Sequence, residues 1–354
     1  MQIAVVGGGI NGVMTAWALA RRGVAVDLYE RDRLMGATSR ATTKMLHGGL
    51  RYLEHGRFSL VREALRERAW WLRQAPQFAR KLQLVLPVYR GARPRWLLGL
   101  GLALYDLLAA GSGFPPSRWL QAEALRAFFP TLSVPGLIGG YVYWDGQMDD
   151  FKLGLWAAER AREAGVRIYE HTQVAMIAEN GVVVTDAPWQ YDRVINAAGP
   201  WAEQLLIQSG LQSAYHLTLV RGSHLVVRRR IAVGCVLQVP GEKRLVFLLP
   251  YGEAALLGTT EVPQAISDPI EPSSEEIEYL IGGYNAFFSD RLEFCDVTDS
   301  FAGLRAIVTR GQDYSRASRE AVIERRGRLI NVFGGKWTTS RALAEKVAAV
   351  ALAE

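Results

Sequence analysis

The sequence predicts an α/β fold, in which a parallel-sheet domain split along the chain carries an inserted domain built on an antiparallel sheet. Three observations predict it. The chain opens MQIAVVGGGING, an apolar β-type run that enters Gly7, Gly9 and Gly12. It closes LINVFGGKWTTSRALAEKVAAVALA, again strand, glycine turn and helix. Between them, residues 216 to 260 change character: HLTLVRGSHLVVRR, RLVFLLPYG and AALLGTT are β-rich runs separated by Gly and Pro, as antiparallel strands are.

The opening element is read as a βαβ unit that binds a dinucleotide. Gly7 makes the tight turn, Gly9 lets backbone approach a diphosphate, and Gly12 lets helix and strand pack closely. Ile10 and Asn11 complete that turn, and a helix from about Val13 to Arg22 points its amides and dipole at the anion. Gly23 ends the helix. VAVDLYE is then a second strand, closed by Glu30 with Arg31 after it; the Glu30 carboxylate, 18 residues beyond Gly12, can accept both ribose hydroxyls.

Composition narrows the classes. At 354 residues and 49% apolar content the chain can bury a sizeable core in two lobes. Cys235 and Cys295 match no metal or redox spacing, which favours a reducing, cytoplasmic setting and no metal site. No cleavable signal is expected, because the first strand begins at residue 2. A net charge of +6 suits an anionic small-molecule substrate or an acidic lipid surface. No nucleic-acid motif accompanies the spread basic residues.

Phe58 to Arg73 reads as an amphipathic helix with Leu60, Ala64, Leu65 and Trp71 near one face, stopped by Pro76. Six prolines break Pro87 to Pro135, a helical insertion rich in tryptophan. Within it, residues 96 to 110 (WLLGLGLALYDLLAA) are too short for the ~20 residues of a bilayer span. They are read first as a buried helix, and second as a monotopic helix giving peripheral contact on the inner membrane face. A helix from Asp150 to Ala164 ends at Gly165, and VRIYEHTQVAMIAENGVVVTD alternates like a hairpin around Asn180-Gly181. RVINAAGPWAEQLL is a strand entering a small-residue turn, a second approach of backbone to the cofactor. Ser273 with Glu276 forms a capping box ahead of a helix through about Phe288.

Four stretches carry a resemblance: GATSRATTKMLHGGLRYLEHGRFSLVREALRERA at 36 to 69, INAAGPWAEQL at 195 to 205, RGSHLVV at 221 to 227, and SFAGLRAIV with VFGGKWTTSRALAE near the end. Together they resemble the FAD-dependent glycerol-3-phosphate dehydrogenases, within the D-amino-acid-oxidase-like flavoproteins. The resemblance implies a noncovalent FAD on a Rossmann-type domain, oxidation of a secondary alcohol, and electrons passed to a quinone or oxygen. It implies a discontinuous FAD-binding domain at 1–85, 141–215 and 301–354, with the helical insertion at 86–140 and the substrate domain at 216–300. Members often carry a further helical domain, whereas this chain stops at Glu354, and Ala306 follows Arg305 where a proline is common.

Such an oxidation needs a base for the hydroxyl proton, and an imidazole, with an unperturbed pKa of ~6.5, suits that role. His47, in LHGGLRY, is the expected base, and His224, in RGSH, its rival; His55, His171 and His216 have no comparable setting. Guanidinium groups suit a phosphate, and the resemblance assigns substrate contact to Arg51, Tyr52, Arg305 and Lys336, with Arg319 aligned less closely. It places Gly48, Gly49, Gly334 and Gly335 against the flavin ring, followed by Lys336, Trp337, Thr338 and Thr339, where a helix dipole faces the pyrimidine end. Thr38, Ser39 and Lys44 are expected at the diphosphate or ribityl chain, Val174 at the adenosine side, and Ala198, Gly199 and Trp201 near the cofactor. The same arginines could clamp a carboxylate, so an FAD-dependent 2-hydroxy-acid or amino-acid oxidoreductase is the second enzyme reading. A non-catalytic FAD-binding assembly module is the third, and a nicotinamide-linked enzyme leaves FGGKWTT unexplained.

Overall fold

The computed structural model describes residues 1–353 except 92, 134, 240, 243 and 311–319, with backbone alone at 51, 54, 55 and 310. Six strands form one sheet in the order Val322–Arg326, Leu329–Phe333, Arg193–Asn196, Gln2–Val6, Ala25–Tyr29 and Arg167–Tyr169. All neighbours are parallel except the first pair. The opening strand is buried from Ile3 to Val6, which a parallel strand covered on both faces requires. Helices Ile10–Ala20, Asp150–Glu163 and Ser340–Leu352 cover one face, with Ile3, Val13, Ala157 and Val347 among the core residues. Ala202–Gln208 and a three-stranded antiparallel sheet cover the other, over Val6, Val183, Leu205 and Phe333.

The second sheet is larger than the run from 216 to 260 suggested. Its path is Val262–Pro263, Tyr215–Val227, Ala254–Gly258, Leu245–Tyr251, Gly234–Gln238, Ala79–Tyr89, Leu137–Met148 and Met45–Leu46. Val297–Arg310 pairs along Tyr215–Val227, and Arg118–Gln121 pairs with Leu137–Met148. Pairings are antiparallel except between Gly234–Gln238 and Ala79–Tyr89. Among the described residues of 86–140, the helices are Arg95–Leu108 and Ala122–Arg126, while the ends of the segment and Arg118–Gln121 supply strands to the sheet. Ser274–Asn285, opened by the expected capping box, packs on this sheet.

Three local readings change. The first helix begins at Ile10, because Gly9 is extended and serves as its N-cap. The segment read as one hairpin divides: Arg167–Tyr169 joins the parallel sheet, and only Met176–Ile177 with Val182–Val184 form the hairpin at Gly181. The Arg95–Leu108 helix is not the buried helix expected first. Only Leu102 and Tyr105 are buried, while Trp96, Leu100 and Leu107 are 70%, 63% and 70% exposed. Among the described residues no helix is long and apolar enough to cross a membrane.

Candidate active site

Both ends of the chain line one cavity of about 1350 Å³. That exceeds the ~300–1,000 Å³ of pockets for drug-sized molecules, as a dinucleotide with a substrate needs. The ends touch directly: Asn11 Nδ2 donates to the Gly334 carbonyl at 3.3 Å. A Cβ on Gly335, where φ is 112°, would strike the same amide. Gly7, at φ 110°, passes so near the strand behind it that a Cβ would lie 2.5 Å from the Ala197 carbonyl oxygen. A Cβ on Gly12 would run into the Gly7 carbonyl, so Gly12 packs behind the wall that Gly7, Gly9, Ile10 and Asn11 form.

Around this turn the predicted cofactor residues fall into two groups. Glu30 accepts from the Gly8 amide at 2.7 Å and the Asp32 amide at 2.9 Å, which fixes its carboxylate at the cavity with lone pairs to spare. Arg31 lies over the Trp201 ring at 4.1 Å, and Val174, Ala198 and Gly199 line the same end. On the other side Ser39 Oγ accepts from the Ile10 amide at 3.0 Å, and Trp337 Nε1 donates to the Ser39 carbonyl at 3.0 Å. Thr38 donates to the Leu304 carbonyl at 2.8 Å. Lys44 lines the cavity but its ammonium is bound to Asp150 at 2.6 Å and to the Arg40 carbonyl. Burial raises the Asp150 pKa and Lys44 opposes that, so the lysine charge is neutralised within the wall rather than left for a phosphate.

The reactive end carries His47, Gly48, Gly49, Tyr52, Lys336, Trp337, Thr338 and Thr339. The His47 amide donates to Thr338 Oγ1 at 3.3 Å, which binds the first histidine loop to the closing turn. Its ring is exposed on the cavity wall, with no hydrogen bond among the described residues. Burial lowers its pKa below the ordinary 6.5, and Lys336 and Arg68 push the same way against Asp145. Lys336 Nζ sits over the Tyr52 ring at 4.1 Å. Arg305 crosses the neighbouring strand at Gly222, where a Cβ would lie 2.6 Å from its guanidinium. It donates to the Thr260 carbonyl at 2.7 Å and pairs with Glu261 at 3.2 Å, leaving it half-buried at the cavity.

His224 is a different case. It is 2% exposed, its Nε2 is 2.9 Å from Thr43 Oγ1, and its ring stacks on Phe301 with centroids 5.0 Å apart. Burial, then Arg305 and Lys44, push its pKa down to about 3. His224 also lines the cavity, its ring held between Thr43 and Phe301. His171 is exposed, and exposed His216 pairs with Glu203 at 2.7 Å. The side chains of Arg51 and His55, and all of Arg319, lie outside the described residues. Sequence reasoning missed Glu261 and Thr260, which hold Arg305; the only signal was an acid after GTT at a strand end. Among the described residues no group of His, Cys, Asp and Glu could hold a metal ion.

Comparison with known proteins adds identity to this geometry. Residues 2–350 match the model of a family described as FAD dependent oxidoreductase. The aerobic glycerol-3-phosphate dehydrogenase of Escherichia coli (strain K12) is 34% identical over 97% of this chain and 72% of its own length. The D-erythritol 1-phosphate dehydrogenase of Brucella abortus (strain 2308) is 36% identical over 98% of this chain and 72% of its own. Two solved structures share the fold. The glycerol-3-phosphate dehydrogenase from Bacillus halodurans complexed with FAD has a TM-score of 0.78 at 24% identity, over 99% of this chain and 64% of that one. The L-alpha-glycerophosphate oxidase from Mycoplasma pneumoniae with FAD bound has a TM-score of 0.80 at 18% identity, over 100% of this chain and 95% of that one.

Proposed function

The chain belongs to the FAD dependent oxidoreductase family, and from that premise we propose that it oxidises the secondary alcohol of glycerol 3-phosphate, or of a closely related phosphorylated polyol, to the ketone. FAD is its cofactor and, when bound, supplies the hydride acceptor. The residues present fit that group: glycines admit its diphosphate at the N-terminus of the Ile10–Ala20 helix, and Glu30 stands where a ribose would lie. Its flavin end falls to Gly48, Gly49 and the turn from Gly334 to Thr339. Ser39 and Thr38 hold the wall along its length.

His47 takes the hydroxyl proton, since its imidazole opens on the cavity with no competing hydrogen bond among the described residues. Arg305 and Lys336, with Arg51, Tyr52 and Arg319 by resemblance, hold the substrate anion. The observation that carries the reading is the placement of an accessible imidazole in one cavity with Arg305 and Lys336, between the glycine turns of both chain ends. Relatives named for glycerol 3-phosphate and D-erythritol 1-phosphate support the substrate class. Electrons then pass to a quinone or another acceptor. The exposed stripe Trp96, Leu100, Ala103 and Leu107 recurs at helical spacing beside exposed Arg95 and Arg118, and we assign it to contact with an anionic lipid surface.

The deciding experiment is anaerobic titration of the FAD-loaded protein with glycerol 3-phosphate, D-erythritol 1-phosphate, a 2-hydroxy acid and an amino acid. A phosphorylated polyol is expected to bleach the flavin. Bleaching by the hydroxy acid or amino acid alone would install the second enzyme reading, and bleaching by none would leave a binding module.

A further inference from the structure

Behind the His47 loop lies a chain of buried polar groups that the proposed chemistry does not use. The Gly48 amide donates to Tyr105 Oη at 2.8 Å, and the Tyr105 hydroxyl donates to Asp145 Oδ2 at 2.9 Å. Arg68 donates to Asp145 Oδ1 at 2.6 Å and to the Trp144 carbonyl at 3.2 Å, and its guanidinium lies 3.8 Å over the Phe114 ring. Arg68, Tyr105 and Asp145 are 0%, 1% and 3% exposed. Gly48 has no room to move away: a Cβ there would lie 2.5 Å from both the Tyr105 hydroxyl and a Leu65 methyl.

Stability alone is a weak reason for such a cluster. Taking two charges out of water costs about what their attraction returns, and well-packed apolar side chains often serve as well. Here Nε and Nη2 of Arg68 are buried without a hydrogen-bond partner among the described residues, which adds to that cost. The cluster also draws on three separate elements: Arg68 from the Phe58–Gln74 helix, Tyr105 from Arg95–Leu108, and Asp145 from the Leu137–Met148 strand. They converge on the one amide that follows His47.

We propose that Arg68, Asp145 and Tyr105 are positioning residues that hold the His47 imidazole over the cavity by gripping the Gly48 amide. The proposal rests on the reading of His47 as the base. Tyr105 is the only member that touches the loop, and Asp145 and Arg68 orient its hydroxyl so that the oxygen lone pair meets the amide. The same groups set the field at the imidazole. Lys336 faces it from the closing turn and Arg68 from the helix below; both lower its pKa, and among the described residues Asp145 raises it. Tyr52 faces it from its own loop, Tyr105 and Tyr143 stand around Asp145, and the Lys346–Glu63 pair closes the cavity rim.

The test uses the full chain loaded with FAD. With five histidines in the sequence, isotope-labelled histidine gives resolvable ring signals, and His47→Gln assigns one of them. Tyr105→Phe keeps the ring and loses the hydroxyl. It is expected to retain FAD content and substrate KM, slow flavin bleaching about tenfold, and move the His47 titration midpoint by about half a pH unit. Asp145→Asn is expected to move that midpoint downward, since it removes the group that raises it. Both variants folded with FAD, with His47 midpoint and bleaching rate within about twofold of the parent, would overturn the proposal. If Tyr105→Phe does not fold, the Asp145→Asn titration decides alone. The ring titration needs no substrate, so a failure of glycerol 3-phosphate to bleach the parent protein sinks the substrate reading and leaves this one to its own result.

Discussion

Arg305 shows how a single side chain can be legible in the sequence while its setting is not. Its residue type announced an anion site, but its partners come from 44 and 45 residues away. Glu261 pairs with the guanidinium, and both groups are partly exposed, so under the proposed function their pairing costs little to exchange for a phosphate. A charge-assisted contact of this kind is worth ~1.5–3 kcal/mol. Arg305→Ala should therefore raise the substrate KM roughly 10- to 150-fold with FAD content unchanged. Steady-state kinetics beside the flavin absorbance checks both, and an unaltered KM removes Arg305 from the site. Lys44 and His224 were legible as polar residues in a cofactor-lining stretch. Their roles were not, because burial and the partners Asp150 and Thr43 decide whether a charge or a lone pair is free.

Among the elements, Arg95–Leu108 departs furthest from its first reading. An apolar run this short is ordinarily a core helix, and periodicity cannot say what covers each face. The fold seats Leu102 and Tyr105 inward and leaves Trp96, Leu97, Leu100 and Leu107 outward. Replacing Leu100 and Leu107 by Glu should abolish flotation with anionic vesicles, since each leucine withdrawn from lipid forfeits ~1.5–3 kcal/mol, or over a hundredfold in partitioning for the pair. FAD content should stay constant; equal flotation of parent and variant ends the lipid assignment. The Phe58–Gln74 helix taught the opposite lesson. Its apolar stripe was plain from the spacing, yet two charged residues off that stripe, Glu67 and Arg68, are buried against Arg341 and Asp145. The opening βαβ unit was legible but for the helix start, since most constraints there are local: glycines at the turn, an apolar strand before, a helix after.

At the scale of the molecule, the cavity exists only because the chain returns to where it began. Gln2–Val6 pairs with Arg193–Asn196, which pairs with Leu329–Phe333, so the last strand completes both the sheet and the site. A ligand touching both ends binds the folded state alone, and at a hundred times its Kd contributes ~2.7 kcal/mol. Added FAD should then raise the midpoint of thermal unfolding by about 4 °C in a chain of this size. A midpoint indifferent to FAD would mean that the two ends do not share it. By itself the sequence determined most of the helices and strands, the dinucleotide turn and the residue kinds needed for alcohol oxidation, because periodicity, glycine sterics and side-chain chemistry act over a few neighbouring residues. Only the tertiary structure decided which histidine opens on the cavity and which is packed, which cation is already paired, and which helix face meets solvent. Those are differences in desolvation and partner geometry, and they arise between segments that no local pattern connects.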